Sequence, residues 1–343
     1  MIADTNPPFL RAYKAIIHEH TSPLPPPPPP PPANEASVDL PLIDLGRLIF
    51  DPVVCKAEIR TAAAEWGFFQ VVNHGVPLEL LECLRRVQAN LFRLPFAEKE
   101  KGRLLDFAVG CYKWGTPTAT SLAQLSWSEA YHIPLVSPQV PTKLKARRVI
   151  DEYAMRVAQL AYQLVGILAE GFEGGNFDNN NYIEENCRPS SCYLRLNRYP
   201  PCPIRGVHGL VPHTDSDFLT LLHQDQVGGL QLMKGGRWIT VNPNYNALIV
   251  NIGDLFQAWS NNAYKSVEHR VMANPHTERF STAFQLCPSY GTIIQSPESP
   301  SLYRSFTFME YKLQIQEDVK TFGRKIGLQR FISSTSANDT TQP

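Results

Sequence analysis

The sequence predicts an α+β fold: a helical N-terminal half wrapped against an all-β C-terminal core, built as an antiparallel barrel or double-sheet sandwich. Two observations lead there. Before residue 175, apolar residues recur at spacings of three and four in long segments, the period of a helix that buries one face. After about residue 190 the pattern changes to short extended runs separated by Gly, Pro and Asn. Strand-like segments also occur early, so the halves read as one interlocked body rather than independent domains.

Residues 1–37 read as a flexible, Pro-rich N-terminal arm. Pro25 to Pro32 are eight consecutive prolines, which favour an extended polyproline II conformer and cannot form a helix. The tract reads as a spacer, with docking to a proline-recognising module as its rival. A mainly helical region follows over 38–175. Within it, LPLIDL at 40–45 reads as a first strand, and residues 54–65 carry a helical pattern. WGFFQVVNHGV at 66–76 is aromatic and β-branched, so it reads as a strand closed by a Gly turn. Leu80, Leu81, Leu84, Val87 and Leu91 mark an amphipathic helix over 78–93. Ile150, Tyr153, Ala154, Val157, Leu160, Ala161, Leu164 and Val165 form one stripe of a longer helix over 145–173. The strand-rich core spans 190–295, with SCYLRLNRY, FLTLLHQD, GLQLM, RWITVNP, ALIVNIG, EHRVMA and RFSTAFQLCP as its runs. A C-terminal helical region over 300–331 carries a helix at about 307–323, and the polar tail, 332–343, reads as disordered.

Composition narrows the function. Of 343 residues, 43% are hydrophobic and 19% charged, enough apolar material for a substantial core. Lys+Arg and Asp+Glu number 32 each, so the formal net charge is zero and no basic stripe points to nucleic acid or an anionic membrane. The seven cysteines form no CxxC pair and are odd in number, which argues against a disulfide scaffold or a structural zinc site. No signal peptide or membrane-spanning apolar run is read, so a cytoplasmic location is expected.

The chemistry starts at His213 and Asp215, in HTD beside a β-like run. Residues two apart on a strand face the same side, so one nitrogen and one oxygen can meet a single ion. His269 follows in VEHRV, another β-branched run. Two imidazoles and one carboxylate match the facial triad of non-haem iron(II) oxygenases, which leaves positions open for co-substrate and O2. Alone, the tripeptide is a weak signal. Zinc with two His and one Asp is allowed, with Glu268 as a hydrolase base, although Glu268 would point away from His269 on a strand.

Arg279 and Ser281 form a second pair at the same spacing, and Asn197 and Tyr199 a third. Arg offers a rigid fork that can hold a carboxylate bidentately; Ser and Tyr add hydroxyl donors, and Asn could reach an oxygen near the metal. Three such pairs on separate strands can line one barrel interior. A 2-oxo diacid fits them: its oxo acid end would chelate the metal and its far carboxylate would meet Arg279 and Ser281. Its oxidative decarboxylation would supply two electrons, so no side chain is obliged to act as general acid or base.

On these residues the chain resembles plant 2-oxoglutarate- and Fe(II)-dependent dioxygenases from about 38 to 331. WGFFQVVNHGV, NRYPPCP, PHTDSDFLTLLHQDQVGGLQL, NIGDLFQAWSNNAYKSVEHRV and ERFSTAFQLCPSY carry the likeness. The resemblance implies a double-stranded β-helix, or jelly-roll (cupin-like), core with supporting N-terminal and C-terminal helices. It also implies iron at His213, Asp215 and His269. The far carboxylate of 2-oxoglutarate would lie at Arg279, Ser281 and Tyr199, with Asn197 at the other end. O2 would be the oxidant and ascorbate a reductant. YKWGTPTATSLAQLSWSEAYHIPL at 112–135 is most similar to the gibberellin 2-beta-dioxygenases, the subgroup acting on C20 gibberellins. That implies hydroxylation of carbon 2 of a gibberellin, a diterpenoid acid, and inactivation of the hormone or its precursors, with release of succinate and CO2.

The same segment has a physical reading. Tyr112, Trp114, Trp127 and Tyr131 offer rigid apolar faces that could wall a pocket, or could pack a helical layer onto the barrel. Arg195, two before Asn197, could meet a substrate carboxylate, with an internal salt bridge as the rival, and Lys113 is a weaker candidate. Phe218 and Tyr290 are expected near the opening. Another superfamily dioxygenase acting on a different gibberellin carbon or a flavonoid would share the iron site. A zinc hydrolase and a non-enzymatic jelly-roll binding module are the remaining readings. Oligomeric state is not readable.

Overall fold

The computed structural model describes residues 4–20, 37–101, 105, 107, 110–135, 144–172 and 185–333; the proline tract and the tail beyond Ser333 lie outside them. The chain enters through two short helices, α1 (Phe9–Ala12) and α2 (Lys14–His20), then strands β1 (Ser37–Val38) and β2 (Leu42–Asp44). Helix α3 (Pro52–Trp66), strand β3 (Phe68–Val72) and helices α4 (Leu78–Phe92) and α5 (Phe96–Glu100) follow. Strands β4 (Tyr112–Trp114) and β5 (Glu129–Pro134) precede the long helix α6 (Lys145–Ala169). The core strands are β6 (Tyr193–Tyr199), β7 (His208–His213), β8 (Leu219–Gln224), β9 (Leu230–Lys234), β10 (Arg237–Val241) and β11 (Leu248–Ile252). After helix α7 (Asp254–Trp259) come β12 (His269–Met272), β13 (Arg279–Leu286), β14 (Ile293–Ile294), β15 (Phe306–Thr307) and helix α8 (Phe308–Phe322).

Two sheets make the core. The larger runs β2-β3-β11-β8-β13-β6-β5-β4, the smaller β1-β10-β9-β12-β7. This is the double-sheet arrangement expected from the punctuated runs after residue 190. Helices lie against the large sheet because their apolar stripes need a partner. Leu80, Leu81, Leu84 and Leu91 of α4, and Ile150, Tyr153, Val157, Leu160 and Leu164 of α6, join one apolar cluster with Leu194, Leu221 and Phe284 from the strands. Helix α3 starts with Pro52, where the missing N–H costs nothing. Helix α8 starts with a capping box, Thr307 accepting from the Glu310 N–H while the Glu310 side chain accepts from the Thr307 N–H. No helix among the described residues is long and apolar enough to cross a membrane.

Two regions depart from expectation. Residues 4–20 are not a loose arm. Phe9 and Tyr13 are buried with Leu125, Trp127 and Val207, Phe9 stacks on Trp127 at 4.5 Å, and Tyr13 Oη accepts from the Thr116 N–H. The segment 112–135, within the stretch expected to be mainly helical, is extended at both ends. It supplies β4 and β5, which extend the large sheet beyond β6. Here strand pairing overrides a sequence with no clean alternation.

Candidate active site

His213 ends β7 and His269 begins β12, and the two stand opposite each other in the antiparallel register of the small sheet. Asp215 follows two residues after His213, in the turn towards β8. The three offer ligand atoms that all lie within 4.8 Å of one another. Asp215 Oδ1 is 3.6 Å from His213 Nε2 and 3.9 Å from His269 Nε2. Each imidazole is oriented by its other nitrogen: Nδ1 of His213 is 2.8 Å from the Val211 carbonyl and Nδ1 of His269 is 3.1 Å from the Val267 carbonyl. A carbonyl only accepts, so Nδ1 carries the proton and donates, leaving both Nε2 lone pairs to face the carboxylate side.

The carboxylate is fixed from the other sheet. Asn251 of β11 donates to Asp215 Oδ2 at 2.6 Å. Thr220 Oγ1 of β8 lies 2.7 Å from both Asp215 Oδ2 and Asp217 Oδ2. One hydroxyl proton cannot serve two carboxylates. Burial pushes the Asp217 carboxyl well above the usual carboxylate range, and the Asp215 charge adds to this. The Thr220 hydroxyl thus ties the two carboxyl groups together behind the metal-facing oxygen. A Cβ at Gly253 would overlap both Asp217 Oδ1 and the Asp217 carbonyl, so only glycine fits there. Burial alone would raise Asp215, but the two imidazoles and these hydrogen bonds outweigh it and hold its pKa at about 2. Burial, then His269, pushes His213 down to about 3. The set is two neutral nitrogen donors and one carboxylate oxygen with a free Oδ1, which fits Fe(II) in a facial triad.

The second half of the site lies on the large sheet. Arg279 and Ser281 of β13 pair directly with Tyr199 and Asn197 of β6. Ser281 also pairs with Gln224 of β8. Asn197 Nδ2 donates to Ser281 Oγ at 3.4 Å, and the Arg279 guanidinium sits 4.8 Å from the Tyr199 ring centroid. Gly209 of β7 makes room for that ring, since a Cβ there would come within 2.6 Å of Tyr199 Cδ1. Arg279 is 2% exposed and donates to Gln224 Oε1 at 2.8 Å, but its Nε has no partner. No carboxylate among the described residues lies within ion-pair distance of it. A buried guanidinium with unused donors is costly unless a ligand brings the negative charge. A carboxylate of a 2-oxo diacid meets that need.

Sequence reasoning missed three supports. Gln88 of α4 is buried and donates to the carbonyls of Asn197 (2.9 Å) and Ser281 (2.8 Å), stapling β6 to β13 behind the polar pairs. It sits on the apolar stripe between Leu84 and Leu91, and a polar residue in that place was the available signal. Asn251 likewise interrupts the apolar run LIVNI. Thr220 gave none.

The expected substrate wall is largely corrected. Phe218 is fully buried, edge-on to Phe256 at 6.0 Å within the main core, and lines no opening. Tyr131 is fully buried against Phe92, Phe107 and Tyr112. The Tyr112 hydroxyl bonds to buried Glu129. Trp127 is covered by Phe9, and Trp114 packs edge-on to Phe9 and Phe96. These rings pack the fold: Phe9 lies against Trp114 and Trp127, Phe92 of α4 against Tyr131, and Phe96 of α5 against Tyr112 and Trp114. Tyr290 stays 49% exposed and stacks on Phe308 at 5.4 Å. Arg195 donates to Asn197 Oδ1 at 2.8 Å and has no ion pair with a carboxylate among the described residues, so the internal salt bridge is not formed there. Lys113 is exposed.

Comparisons with known proteins agree with this geometry. A family model described as the 2OG-Fe(II) oxygenase superfamily matches residues 190–288. A second, described as the non-haem dioxygenase in morphine synthesis N-terminal family, matches 40–150. The chain is 48% identical over 341 residues to "Gibberellin 2-beta-dioxygenase 8" of Arabidopsis thaliana, covering 96% of this chain and 99% of that one. It is 52% identical over 337 residues to "Gibberellin 2-beta-dioxygenase 5" of Oryza sativa subsp. japonica, covering 96% and 97%. The crystal structure of JOX2 in complex with 2OG, Fe and JA superposes with a TM-score of 0.73 at 32% identity, over 93% of this chain and 97% of that one.

Proposed function

The chain belongs to the 2OG-Fe(II) oxygenase superfamily, and from that premise we propose that it hydroxylates gibberellins at carbon 2, with C20 precursors as preferred substrates. The observation that carries this reading is the likeness to two gibberellin 2-beta-dioxygenases over almost the whole of all three chains. Similarity to "Gibberellin 20 oxidase 1-D" of Triticum aestivum is lower, at 33% over 78% of this chain. The segment 112–135 supports the C20 preference.

In this reading His213, Asp215 and His269 hold Fe(II). Arg279, Ser281 and Tyr199 hold the far carboxylate of 2-oxoglutarate, and Asn197 attends its metal end. Iron and 2-oxoglutarate, when bound, supply the oxidising power with O2, and ascorbate keeps the metal reduced. The chain's own residues then have four tasks. The Val211 and Val267 carbonyls fix the tautomers, so both imidazoles present lone pairs. Thr220 and Asn251 occupy Asp215 Oδ2 and leave Oδ1 to the metal. Arg279 orients the co-substrate. Burial of Asp215, His269 and Arg279 limits water at the reacting centre, with His213 on its open side.

The substrate's acid group is assigned to Arg195. Arg195 stands beside Asn197, donating to its Oδ1 at 2.8 Å, and after burial its charge is the next cause that pushes the nearby His132 imidazole down. Tyr290 accepts from Lys312 at its hydroxyl at 3.4 Å and stacks on Phe308. Seven unpaired cysteines, six of them buried, support a reducing compartment such as the cytoplasm. Incubation with Fe(II), 2-oxoglutarate, ascorbate and a panel of C20 and C19 gibberellins tests the reading. Mass spectrometry and NMR should place a new hydroxyl at carbon 2 of the C20 compounds; oxidation only at carbon 3 or carbon 20 would reject it.

A further inference from the structure

Outside both family-model matches, one basic side chain reaches back to the metal loop. Lys325, just past α8, places Nζ 3.0 Å from the Thr214 carbonyl, 2.7 Å from Ser216 Oγ and 2.5 Å from Asp254 Oδ2. An ammonium has three protons, and here each has an oxygen. Two of those oxygens flank Asp215 on either side in the chain. Asp254 closes the figure: its Oδ2 also accepts from Thr214 Oγ1 at 3.0 Å and from the buried Tyr311 hydroxyl of α8, while its N–H donates to the Asp215 carbonyl at 2.9 Å. Lys325 is the donor that joins the C-terminal segment to both sides of the carboxylate ligand, and its side chain is only 14% exposed.

We propose that Lys325 is a positioning residue for the iron site, holding the Thr214–Ser216 turn so that Asp215 Oδ1 points at the ion. It touches neither metal nor substrate. Its effect runs through backbone and hydroxyl contacts, as outer partners of metal ligands do. The C-terminal segment thereby becomes part of the metal centre. The inference rests on the triad as a metal site and not on the substrate assignment.

The test is metal binding by the full chain, with Co(II) as the probe. Wild-type binding checks the premise first. Lys325→Met should weaken Co(II) binding about tenfold and alter the visible d–d band, because the Asp215 oxygen moves. The metal-free melting temperature should fall as well, because Asp254 loses its buried partner, so the Co(II) spectrum rather than stability is the deciding readout. Lys325→Arg should restore much of the affinity, because a guanidinium can still donate to the same oxygens. Ser216→Ala, which removes one acceptor and no charge, should give a smaller loss in the same direction and serves if Lys325→Met does not fold. Unchanged Co(II) affinity and spectrum in both Lys325→Met and Ser216→Ala would overturn the proposal. So would a fall in metal-free stability with an unaltered Co(II) spectrum, which marks a purely structural brace.

Discussion

Two buried cation sites lie along the same large sheet, and they differ in one respect. On the β13–β6 side, Arg279 is buried with an unused Nε and, among the described residues, no carboxylate opposite. On the β6–β5–β4 side, Lys99 and Arg198 are buried and each is ion-paired with a carboxylate. Glu129 accepts from Lys99, Tyr112 and Arg198, Lys99 also donates to the Thr5 and Phe92 carbonyls, and Arg198 reaches Glu278 at 2.9 Å. The difference teaches how to tell a binding charge from a structural one. A buried charge with a complete set of partners holds the fold, whereas one with partners missing waits for a ligand.

Substitutions can break that comparison. The largest effect is expected at the metal itself. His269→Ala should abolish turnover and the weak visible band formed when Fe(II) and 2-oxoglutarate bind anaerobically; an intact band would sink the ligand assignment. Next comes the satisfied charge. Glu129→Gln leaves Lys99 and Arg198 buried with one charge fewer to meet them, so urea unfolding should show a loss of about 3–5 kcal/mol. The KM for 2-oxoglutarate should stay near wild type in whatever remains folded.

Arg279→Ala should do the reverse. The KM for 2-oxoglutarate should rise about thirtyfold or more, the equivalent of roughly 2 kcal/mol, while Fe(II) binding and stability hold. A stability loss as large as that of Glu129→Gln, with an unchanged KM, would erase the distinction. Smaller still is Tyr131→Phe. The Tyr131 hydroxyl is buried with no partner, so removing it should leave stability level or up to about 1 kcal/mol higher. A raised KM for the gibberellin would instead make it a substrate contact.

The smallest effect is one of pH. His132 is pushed down to about 4 from an ordinary 6.5 by burial, then by Arg195, Lys312 and Lys113. The native fold thus favours the neutral ring. Its contribution is whole above 6.5, where the unfolded ring is also neutral, and is lost as pH falls from 6.5 towards 4. Urea midpoints should drop between pH 7 and pH 5, and His132→Phe should flatten that drop.

The polar half of the site was legible because a strand has a period of two. Asn197/Tyr199 and Arg279/Ser281 each announce a shared face and stand directly opposite each other, whereas β7 ends at His213 and the turn after it, not the strand period, brings Asp215 to the site. Helices α4, α6 and α8 were legible from their apolar stripes. What joins distant segments was not. Nothing local in YKW or EAYHIP says that they extend a sheet that already has six strands. Nothing in a four-residue helix before a proline tract says that Phe9 covers Trp127. The aromatic wall failed for that reason: an exposed and a covered tryptophan look alike until their neighbours are known. Lys325 and Gln88 belong to the same class, since each acts across more than a hundred residues of chain.

The covering of Trp127 by Phe9 also gives the molecule an optical signal. Of five tryptophans, Trp114 and Trp127 both rest on the N-terminal segment, and Trp127 is only 4% exposed. Release of that segment would let water reach both indoles and move their emission to longer wavelength, while Trp259 in the main core stayed dry. Intrinsic fluorescence can therefore follow the attachment of residues 4–20 separately from the unfolding of the sheets.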